Sequence, residues 1–307
     1  MSPVGLTAAE NTVDFASRYR AVNATFRRPL HFKLTDRGHY SEVNCLIASM
    51  VYGLMTSRRL IVTDSDFEGL RWEELYRSKL PDAPDVDIQS VEPDWRELSD
   101  HTERFWSLRR RVGRRHSRHI PVWNRRLGIF GDVLTVSRLL ADAFCQPTIE
   151  RGLGTSGEPY ASFHIRRGDK VRGRVVEGMT HRPESEVIPV ERYLEMLQRT
   201  APGVRIVYVL TDDYSAVDEL QASAPTLQFH TISNASHRGY DQRTFSAFPV
   251  DAKRTERLEL IAETEIAMRS VVFIGMFGSN VSRFIALRHL TPDRCFSVDS
   301  TRRWEPA

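Results

Sequence analysis

The sequence predicts an α/β fold in which helices cover parallel sheets. Two observations lead to this prediction: strand-length apolar runs alternate with helical patterns along the chain, and a helix joins the first two strands. A strand–helix–strand connection returns the chain in the same direction, so the strands that it joins are parallel. With 307 residues the chain exceeds the length at which one core usually divides, and two domains are expected.

One strand–helix–strand unit occupies the first half. Residues 31–34 form its first strand, residues 42–56 repeat apolar side chains at steps of three and four as an amphipathic helix does, and residues 59–63 form a buried strand. Residues 1–29 carry little pattern, and a further helix is expected near residues 133–144. The first half therefore predicts a small parallel sheet with helices packed on it.

The second half alternates strands and helices more regularly. Its predicted elements are strand 161–165, helix 190–200, strand 204–211, helix 215–223, strand 227–232, helix 255–269, strand 271–275 and a helix from near Ser279. This order is typical of a doubly wound open sheet. The Gly-rich residues 151–159 mark a linker, so the domains are predicted as residues 1–157 and 158–307.

The composition is that of an ordinary folded protein. Hydrophobic residues are 41% and charged residues 27% of the chain, and the net charge of +3 implies no nucleic-acid partner. No run approaches the roughly 18 apolar residues that span a bilayer, and the amino terminus lacks a signal-like apolar core, which predicts a cytoplasmic protein. The three cysteines stand far apart in no metal-ligand spacing, so buried thiols are expected and zinc is not.

The residues that follow the strands are the candidates for ligand binding, because open parallel sheets bind ligands beyond the carboxyl ends of their strands. Residues 164–170, HIRRGDK, follow one strand directly. Arg166 and Arg167 offer planar forks of donors that match phosphate oxygens, and Gly168 lets the backbone approach a ligand closely. A diphosphate is the predicted ligand, and a solvated charged turn is the alternative.

Two further strand ends belong to the same domain. Asp212, in the run TDD, would accept hydrogen bonds from a sugar hydroxyl or hold one of the arginines, and the alternative is an N-cap of the next helix. Residues 275–283, GMFGSNVSR, break a buried strand into a turn that opens a helix. The backbone amides of this turn and the Ser279 hydroxyl are expected to face an anion, and capping without a ligand is the alternative.

Three segments together carry a family resemblance. HIRRGDK, the strand end VYVLTDD and the block TERLELIAETEIAMRSVVFIGMFGSNVSR resemble the α1,6-fucosyltransferase family, which includes the core-fucosylating enzymes of animals and the rhizobial nodulation enzymes. A looser similarity extends to protein O-fucosyltransferases, and the resemblance covers roughly residues 31–300. It implies a GT-B-like architecture of two Rossmann-like domains facing a central cleft. It also implies GDP-fucose as donor and an inverting reaction without a metal or other cofactor.

The resemblance implies roles for individual residues. His164 and Glu263 match guanine-contacting positions, with Glu263 in place of the family's Asp. Arg166 matches the diphosphate-binding arginine, and Arg167 is its neighbour. The other donor-pocket matches are Asp212, Ser279 and Asn280, the last in place of a Gln.

The catalytic base is harder to place. In the animal enzymes a Glu shortly after the motif's Lys serves as base, but here more residues separate Lys170 from the PVERYL helix start. Counting back five residues from Pro189 selects Glu184, and Glu177 and Glu186 compete with it. The selected Glu184 is expected to take the proton of the acceptor hydroxyl.

The reaction is expected to need no metal ion. Arg166, Lys170 and the helix start at Ser279 would stabilise charge on the departing β-phosphate, where other transferases place a divalent ion. Residues 64–66, DSD, have the D-x-D form that chelates Mn²⁺ in the other large glycosyltransferase class, but so short a motif often matches by chance. The turn around Arg37, Gly38, His39 and Tyr40 in the first domain would face the same donor cleft, and ordinary turn chemistry is its alternative.

Three functions follow as alternatives, and they differ in the partner. The first is fucosyl transfer to a hydroxyl of a glycan or small molecule, with a bacterial acceptor favoured. The second is a related transferase that uses another GDP-sugar or modifies a protein. The third is a non-enzymatic polyanion or nucleic-acid binder that uses the arginines clustered in residues 104–126, and its binding would weaken steeply with salt.

Overall fold

A computed structural model describes residues 8–34, 38–64, 66–67, 69–81, 125–129, 132–150, 152, 157–168, 171, 174–176, 179–181, 186–236, 238–240 and 242–299. The chain divides into two compact units, Met1–Thr148 and Ile149–Pro306. This division falls just ahead of the Gly-rich residues 151–159, from which the sequence places the boundary. The domain limits 1–157 and 158–307 stay a prediction.

The first unit contains a parallel pair of strands joined by a helix. Its elements are α1 (Ala8–Ala24), β1 (Arg28–Lys33), α2 (His39–Thr56), β2 (Arg58–Asp64), β3 (Asp66–Phe67), β4 (Leu70–Arg71), α3 (Trp72–Leu75) and α4 (Val133–Phe144). β1 and β2 pair in parallel with Leu30 opposite Leu60, and α2 contacts both strands. The predicted strand–helix–strand unit is therefore confirmed.

The sequence does not predict α1, which is held by long-range contacts. Its buried stripe runs through Phe15, Tyr19 and Asn23, so it ends on a polar side chain. The Asn23 side-chain amide donates to the Leu60 carbonyl and accepts from the Leu60 backbone amide, both at 2.8 Å. Tyr19 packs edge-on against Phe144 of α4 with ring centroids 5.4 Å apart. A local search for apolar periodicity misses such a helix because one of its buried contacts is a hydrogen bond to a strand.

The second unit is built on a five-stranded parallel sheet. Its elements are β5 (Tyr160–Ile165), β6 (Arg174–Val176), β7 (Met179–His181), α5 (Val190–Thr200), β8 (Ile206–Thr211), α6 (Ser215–Ser223), β9 (Gln228–His230), α7 (Gln242–Ser246), α8 (Val250–Met268), β10 (Val272–Gly275), α9 (Asn280–Arg288), a 3₁₀ turn (Pro292–Arg294) and β11 (Cys295–Ser297). The strand order is β11-β10-β5-β8-β9, with every neighbouring pair parallel. β11 is the one strand of this sheet that the sequence does not predict.

Helices cover both faces of this sheet. Alternate side chains of β5, namely Ala161, Phe163 and Ile165, pack in one core with α5 and α6. On the opposite face the Tyr160 hydroxyl donates to the Ile266 carbonyl of α8 at 2.7 Å. The predicted α/β class with parallel sheets is confirmed. Within the described ranges no helix is both long and apolar enough to cross a membrane.

Candidate functional site

Three loops meet at one edge of the five-stranded sheet. β10, β5 and β8 are neighbours and run in parallel, with His164 opposite both Leu210 and Gly275. Their carboxyl ends therefore lie side by side, and the loops that follow them share one edge, where open parallel sheets bind ligands. These are the three strand ends of the second unit that the sequence singles out.

The Asp212 carboxylate holds the turn after β5. Its Oδ1 accepts from the Arg167 amide at 2.7 Å, and its Oδ2 accepts from the Gly168 amide at 2.9 Å. The Arg166 Nε lies 3.9 Å from Oδ2. Burial raises the pKa of Asp212, and the two amides and the Arg166 charge oppose that rise. Of the roles that the sequence left open for Asp212, holding the arginine loop fits these contacts.

The neighbouring residue supplies the bond at the next helix start. Asp213 Oδ1 accepts from the Ser215 amide at 3.0 Å. The Asp213 carboxylate therefore bonds just ahead of α6, whose N-cap residue is Tyr214, and the Asp212 carboxylate bonds to the β5 loop. This division explains why two consecutive carboxylates follow the strand.

Gly168 sits where no other residue fits. A Cβ on Gly168 would lie 2.5 Å from Asp212 Oδ2 and 2.5 Å from the Tyr240 carbonyl oxygen. Both distances are far shorter than a carbon–oxygen contact allows, and one of the obstacles is backbone. The requirement for Gly here comes from close packing of two loops, and it keeps the turn narrow.

The two arginines of the motif have different environments. The Arg167 guanidinium forms a two-point ion pair with Glu219 of α6, at 2.5 and 2.6 Å, and the hydrogen bond to Glu219 raises the pKa of Arg167. Arg166 lies beside Asp212 with 20% of its side chain exposed. A bidentate pair of this kind fixes a guanidinium in place. Arg167 therefore connects the loop to α6, and the Arg166 side chain is the more exposed of the two.

His164 is a buried and neutral imidazole. Its Nδ1 lies 2.6 Å from the Ser282 hydroxyl of α9, and its carbonyl accepts from the Tyr193 hydroxyl at 3.1 Å. Burial and the positive charge of Arg166 lower the pKa of His164 to about 3. A neutral imidazole has one donor and one acceptor nitrogen. His164 therefore ties β5 to α9 and carries no charge at neutral pH.

Glu263 of α8 is a buried carboxyl group with an unsatisfied oxygen. Only 9% of the residue is exposed, and its Oε1 has no hydrogen-bond partner among the described residues. Burial, followed by the charges of Glu259 and Glu256, raises its pKa to about 8. The nearby Tyr208 hydroxyl lowers the pKa of Glu263 in part. Like Glu263 Oε1, this hydroxyl has no partner at ordinary hydrogen-bond geometry among the described residues. Buried unpaired polar atoms are rare and often mark functional sites.

The turn after β10 differs from the prediction. The amides of Phe277 and Gly278 both donate to Asp299 at 2.8 Å, so they are not available to an anion as expected. The Ser279 hydroxyl accepts from the Val281 amide at 3.3 Å and caps α9. The expectation of a ligand on these two amides is wrong, because a carboxylate that follows β11 already occupies them. Ser279 therefore caps α9, and its expected role toward an anion stays a prediction.

Several predicted residues lie outside the described residues. These are Lys170, Glu177, Glu184, Arg37, Ser65 and most of the basic segment 104–126. Glu186 is described and exposed, and Asn280 is half-buried at the first position of α9. In the parts of the chain that the structure covers, no three His, Cys, Asp or Glu residues cluster closely enough to hold a metal ion.

The turn at Gly38 is the start of a helix in the first unit. Gly38 is the N-cap residue of α2. The next two residues, His39 and Tyr40, are buried, and His39 Nε2 lies 2.6 Å from the Tyr76 hydroxyl. The two side chains thus have a packing role in their own unit, as the ordinary-turn alternative expects. A role for Gly38 in donor binding stays a prediction.

Sequence reasoning missed the residues that hold the site together. Glu219, Tyr193 and Asp299 make their bonds to the loops from other elements, and Tyr208 faces Glu263 from inside the sheet. Ser282 had a usable signal, because it follows Ser279 by one helical turn inside the matching block. Asp299 had none, because β11 is only three residues long.

No protein-family model and no curated protein sequence matches the chain. Solved structures do align with it. A structure of POFUT1 in complex with GDP has a TM-score of 0.46 at 10% identity, covering 89% of this chain and 99% of that one. A variant of Arabidopsis thaliana FUT1 in complex with GDP has a TM-score of 0.47 at 12% identity, covering 90% and 72%. POFUT1 with GDP-fucose has a TM-score of 0.33 at 13% identity, covering 95% and 79%.

Proposed function

We propose that this protein is a glycosyltransferase that moves L-fucose from GDP-fucose to an acceptor hydroxyl. The observation that carries the proposal is the loop after β5. There Arg166 lies beside a narrow Gly turn that the half-buried Asp212 carboxylate holds, the buried His164 imidazole belongs to the strand before the turn, and the buried Glu263 carboxyl group belongs to α8, which packs on β5 and β8. These groups supply the three recognition elements of a guanosine diphosphate: a partner for the base, donors for the phosphates and a narrow turn between them. The resemblance of the three sequence segments to fucosyltransferases favours fucose as the sugar.

Glu263 and His164 would recognise the guanine base. Guanine presents two adjacent donors, N1–H and the 2-amino group, and a carboxylate accepts both with its two oxygens. The buried Oε1 of Glu263 lacks such donors in the free protein. The uracil edge offers a single donor between two acceptors, so a carboxylate would face an acceptor there. This chemistry favours GDP over UDP donors.

Arg166 would bind the diphosphate. Its guanidinium matches phosphate oxygens in a bidentate geometry, and the absence of a side chain on Gly168 lets the phosphates approach the turn. Arg167 would support the loop and not bind the phosphates, because its guanidinium is bonded to Glu219. Ser279 and Asn280, at the positive end of α9, would add donors from the adjacent loop. Lys170 is proposed to place a second charge at the leaving β-phosphate.

The proposed reaction is a single displacement. The acceptor oxygen forms a bond to the anomeric carbon of fucose while the bond from that carbon to the β-phosphate oxygen breaks, and the configuration inverts. The acceptor proton passes to Glu184, and GDP leaves with the bonding electrons. Arg166 and Lys170 stabilise the charge that builds on GDP, so the proposed mechanism needs no divalent ion. The α1,6 linkage and a role for Gly38 in donor binding belong to the same proposal.

A thermal-shift panel in EDTA tests the nucleotide and the metal together. GDP and GDP-fucose should raise the melting temperature and UDP-sugars should not, because a ligand at about a hundred times its Kd stabilises a protein by roughly 2.7 kcal/mol. Arg166→Ala should abolish the shift, whereas Arg192→Ala, a charge change on an exposed residue of α5, should leave it intact. Stabilisation by UDP compounds alone would contradict the proposal.

The donor sugar and the alternative functions need separate measurements. GDP release from GDP-fucose and from GDP-mannose, measured with a panel of glycans, small molecules and peptides, distinguishes a fucosyltransferase from a related transferase or a protein-modifying enzyme. A polyanion binder would instead bind nucleic acid with an affinity that falls steeply between about 50 and 200 mM salt. Guanine-dependent binding that changes little over that range favours the transferase.

A further inference from the structure

Two loops of the site are held in the same way by carboxylates that follow neighbouring strands. In the order β11-β10-β5-β8, the inner strands β10 and β5 end in the two loops. Asp212, after β8, accepts from two consecutive amides of the β5 loop at 2.7 and 2.9 Å. Asp299, after β11, accepts from two consecutive amides of the β10 loop, both at 2.8 Å. In both cases one carboxylate oxygen accepts from the first of the two loop amides and the other oxygen accepts from the second.

We propose that Asp299 is a positioning residue of the donor site, which fixes the β10 loop as Asp212 fixes the β5 loop. This inference rests on the proposed function, because it takes the diphosphate to lie between the two loops. The sequence segments that carry the family resemblance end before Asp299. Its role therefore follows from the geometry of the sheet.

Asp299 packs against the β10 loop and is itself held in place by a neighbouring hydroxyl. A Cβ on Gly278 would lie 2.8 Å from Asp299 Oδ2, so the carboxylate packs directly on the turn. The Ser297 hydroxyl donates to Asp299 Oδ1 at 2.6 Å and aims the carboxylate. From the other side, Arg283 Nε donates to the Phe277 carbonyl at 2.7 Å. Charged hydrogen bonds of this kind are stronger and more directional than neutral ones.

Asp299 acts through the loop and not by touching the donor. Both of its oxygens are occupied by amides, and a carboxylate in contact with a diphosphate would repel it. The carboxylate also opposes the lowering of the Arg283 pKa that burial causes. The loop so held leads into Ser279 and Asn280, the groups proposed to face the phosphates. Holding their backbone in advance lowers the cost of ordering it on binding.

Asp299→Asn is the direct test, because it keeps the shape and removes one acceptor. The amide group of Asn can accept from one loop amide, and its NH₂ then faces the other amide donor to donor. We expect GDP affinity to fall about tenfold, the equivalent of one charged hydrogen bond, and guanosine affinity to stay unchanged. Asp212→Asn should give the same split between GDP and guanosine. Glu195→Gln, an equal charge change on an exposed residue of α5, should change neither affinity.

Hydrogen exchange of the Phe277 and Gly278 amides tests the loop without any ligand. Asp299→Asn should increase their exchange and leave the core strands unchanged. Unchanged exchange, or an unchanged GDP affinity, would overturn the inference. An equal loss of guanosine and GDP binding with a lower melting temperature would overturn it too, because it would indicate a general role in folding. If the wild-type protein binds no GDP while the amides depend on Asp299, the proposed function fails and the loop-holding role stands.

Discussion

Donor binding should depend on pH through Glu263. Burial and the nearby Glu259 and Glu256 carboxylates raise the pKa of this carboxyl to about 8 in the free protein, whereas the proposed contact with guanine requires the ionised form. At pH 7 about one molecule in eleven carries the carboxylate, and at pH 6 about one in a hundred, since the ionised fraction falls tenfold per unit below the pKa. The apparent Kd is the intrinsic Kd divided by that fraction. Affinity should therefore rise about tenfold per pH unit from pH 6 to 7.5 and level off above 8.

Other groups at the site leave this dependence readable. His164 stays neutral throughout, because its pKa is lowered to about 3. Tyr208 stays protonated, because burial raises its pKa. Burial raises the pKa of Asp212 against the opposing effect of its two amides and of Arg166, and Asp212 is common to every variant compared. GDP-fucose is the appropriate ligand, since its diphosphate is esterified at both ends and does not titrate between pH 6 and 8.5.

Isothermal titration calorimetry measures both the affinity and the proton. In two buffers of different ionisation enthalpy at pH 7, each GDP-fucose bound should release about 0.9 proton, the fraction of Glu263 that must ionise. Glu263→Gln should release none and bind weakly at every pH, because the amide cannot accept both guanine donors. A Kd that is constant from pH 6 to 8.5 in the wild-type protein, together with weak binding by Glu263→Gln, would contradict the proposed ionisation of Glu263 on binding. It would mean that the carboxylate is already ionised before guanine arrives.

Three further predictions follow from the same contacts. The pKa of Glu263 is about 8 in the folded protein and 4.5 ordinarily. Its contribution to the free energy of unfolding is therefore complete below pH 4.5 and is lost as the pH rises through 8, by up to about 5 kcal/mol. Urea unfolding at pH 5 and 8.5 should show this loss in the wild type and not in Glu263→Gln. Gly168→Ala should abolish the GDP-induced thermal shift, and Gly203→Ala, with open space around its Cα, should not. Glu184→Gln should keep GDP binding and abolish fucose transfer, whereas Glu186→Gln should keep both; full turnover by Glu184→Gln would exclude it as the base.

The sequence predicts the part of the site that depends on strand ends. β5 and β8 are followed directly by charged residues, and β10 ends on Gly275 ahead of a turn that contains Gly278 and Ser279, so their loops can be located without coordinates. Parallel strands then bring the loops to one edge. Asp212 and His164 were placed at this edge by that reasoning alone. The residues that bond to these loops from other elements are not predicted, because those bonds depend on which strands are neighbours in the sheet.

The same limit explains what the sequence misses. Glu219 reaches Arg167 from the helix after β8, and Asp299 reaches Phe277 from beyond the last short strand. Both bonds join residues far apart in the chain, and each residue alone is an ordinary surface carboxylate. α1 escapes for a related reason, since Asn23 completes its buried stripe with a hydrogen bond to β2. Local patterns carry no signal for contacts of this kind.

The proposed leaving-group role of Arg166 depends on the shape of its guanidinium as well as on its charge. Two other arginines near the proposed diphosphate support the loops. Glu219 binds the Arg167 guanidinium, and Arg283 of α9 donates to the Phe277 carbonyl. Their charges support the loops and are partly offset there. The Arg166 Nε lies 3.9 Å from Asp212 Oδ2, beside the turn that Asp212 holds. Arg166→Lys should therefore keep the charge but lose the two-point contact with phosphate, so it should bind GDP more weakly than wild type and more tightly than Arg166→Ala.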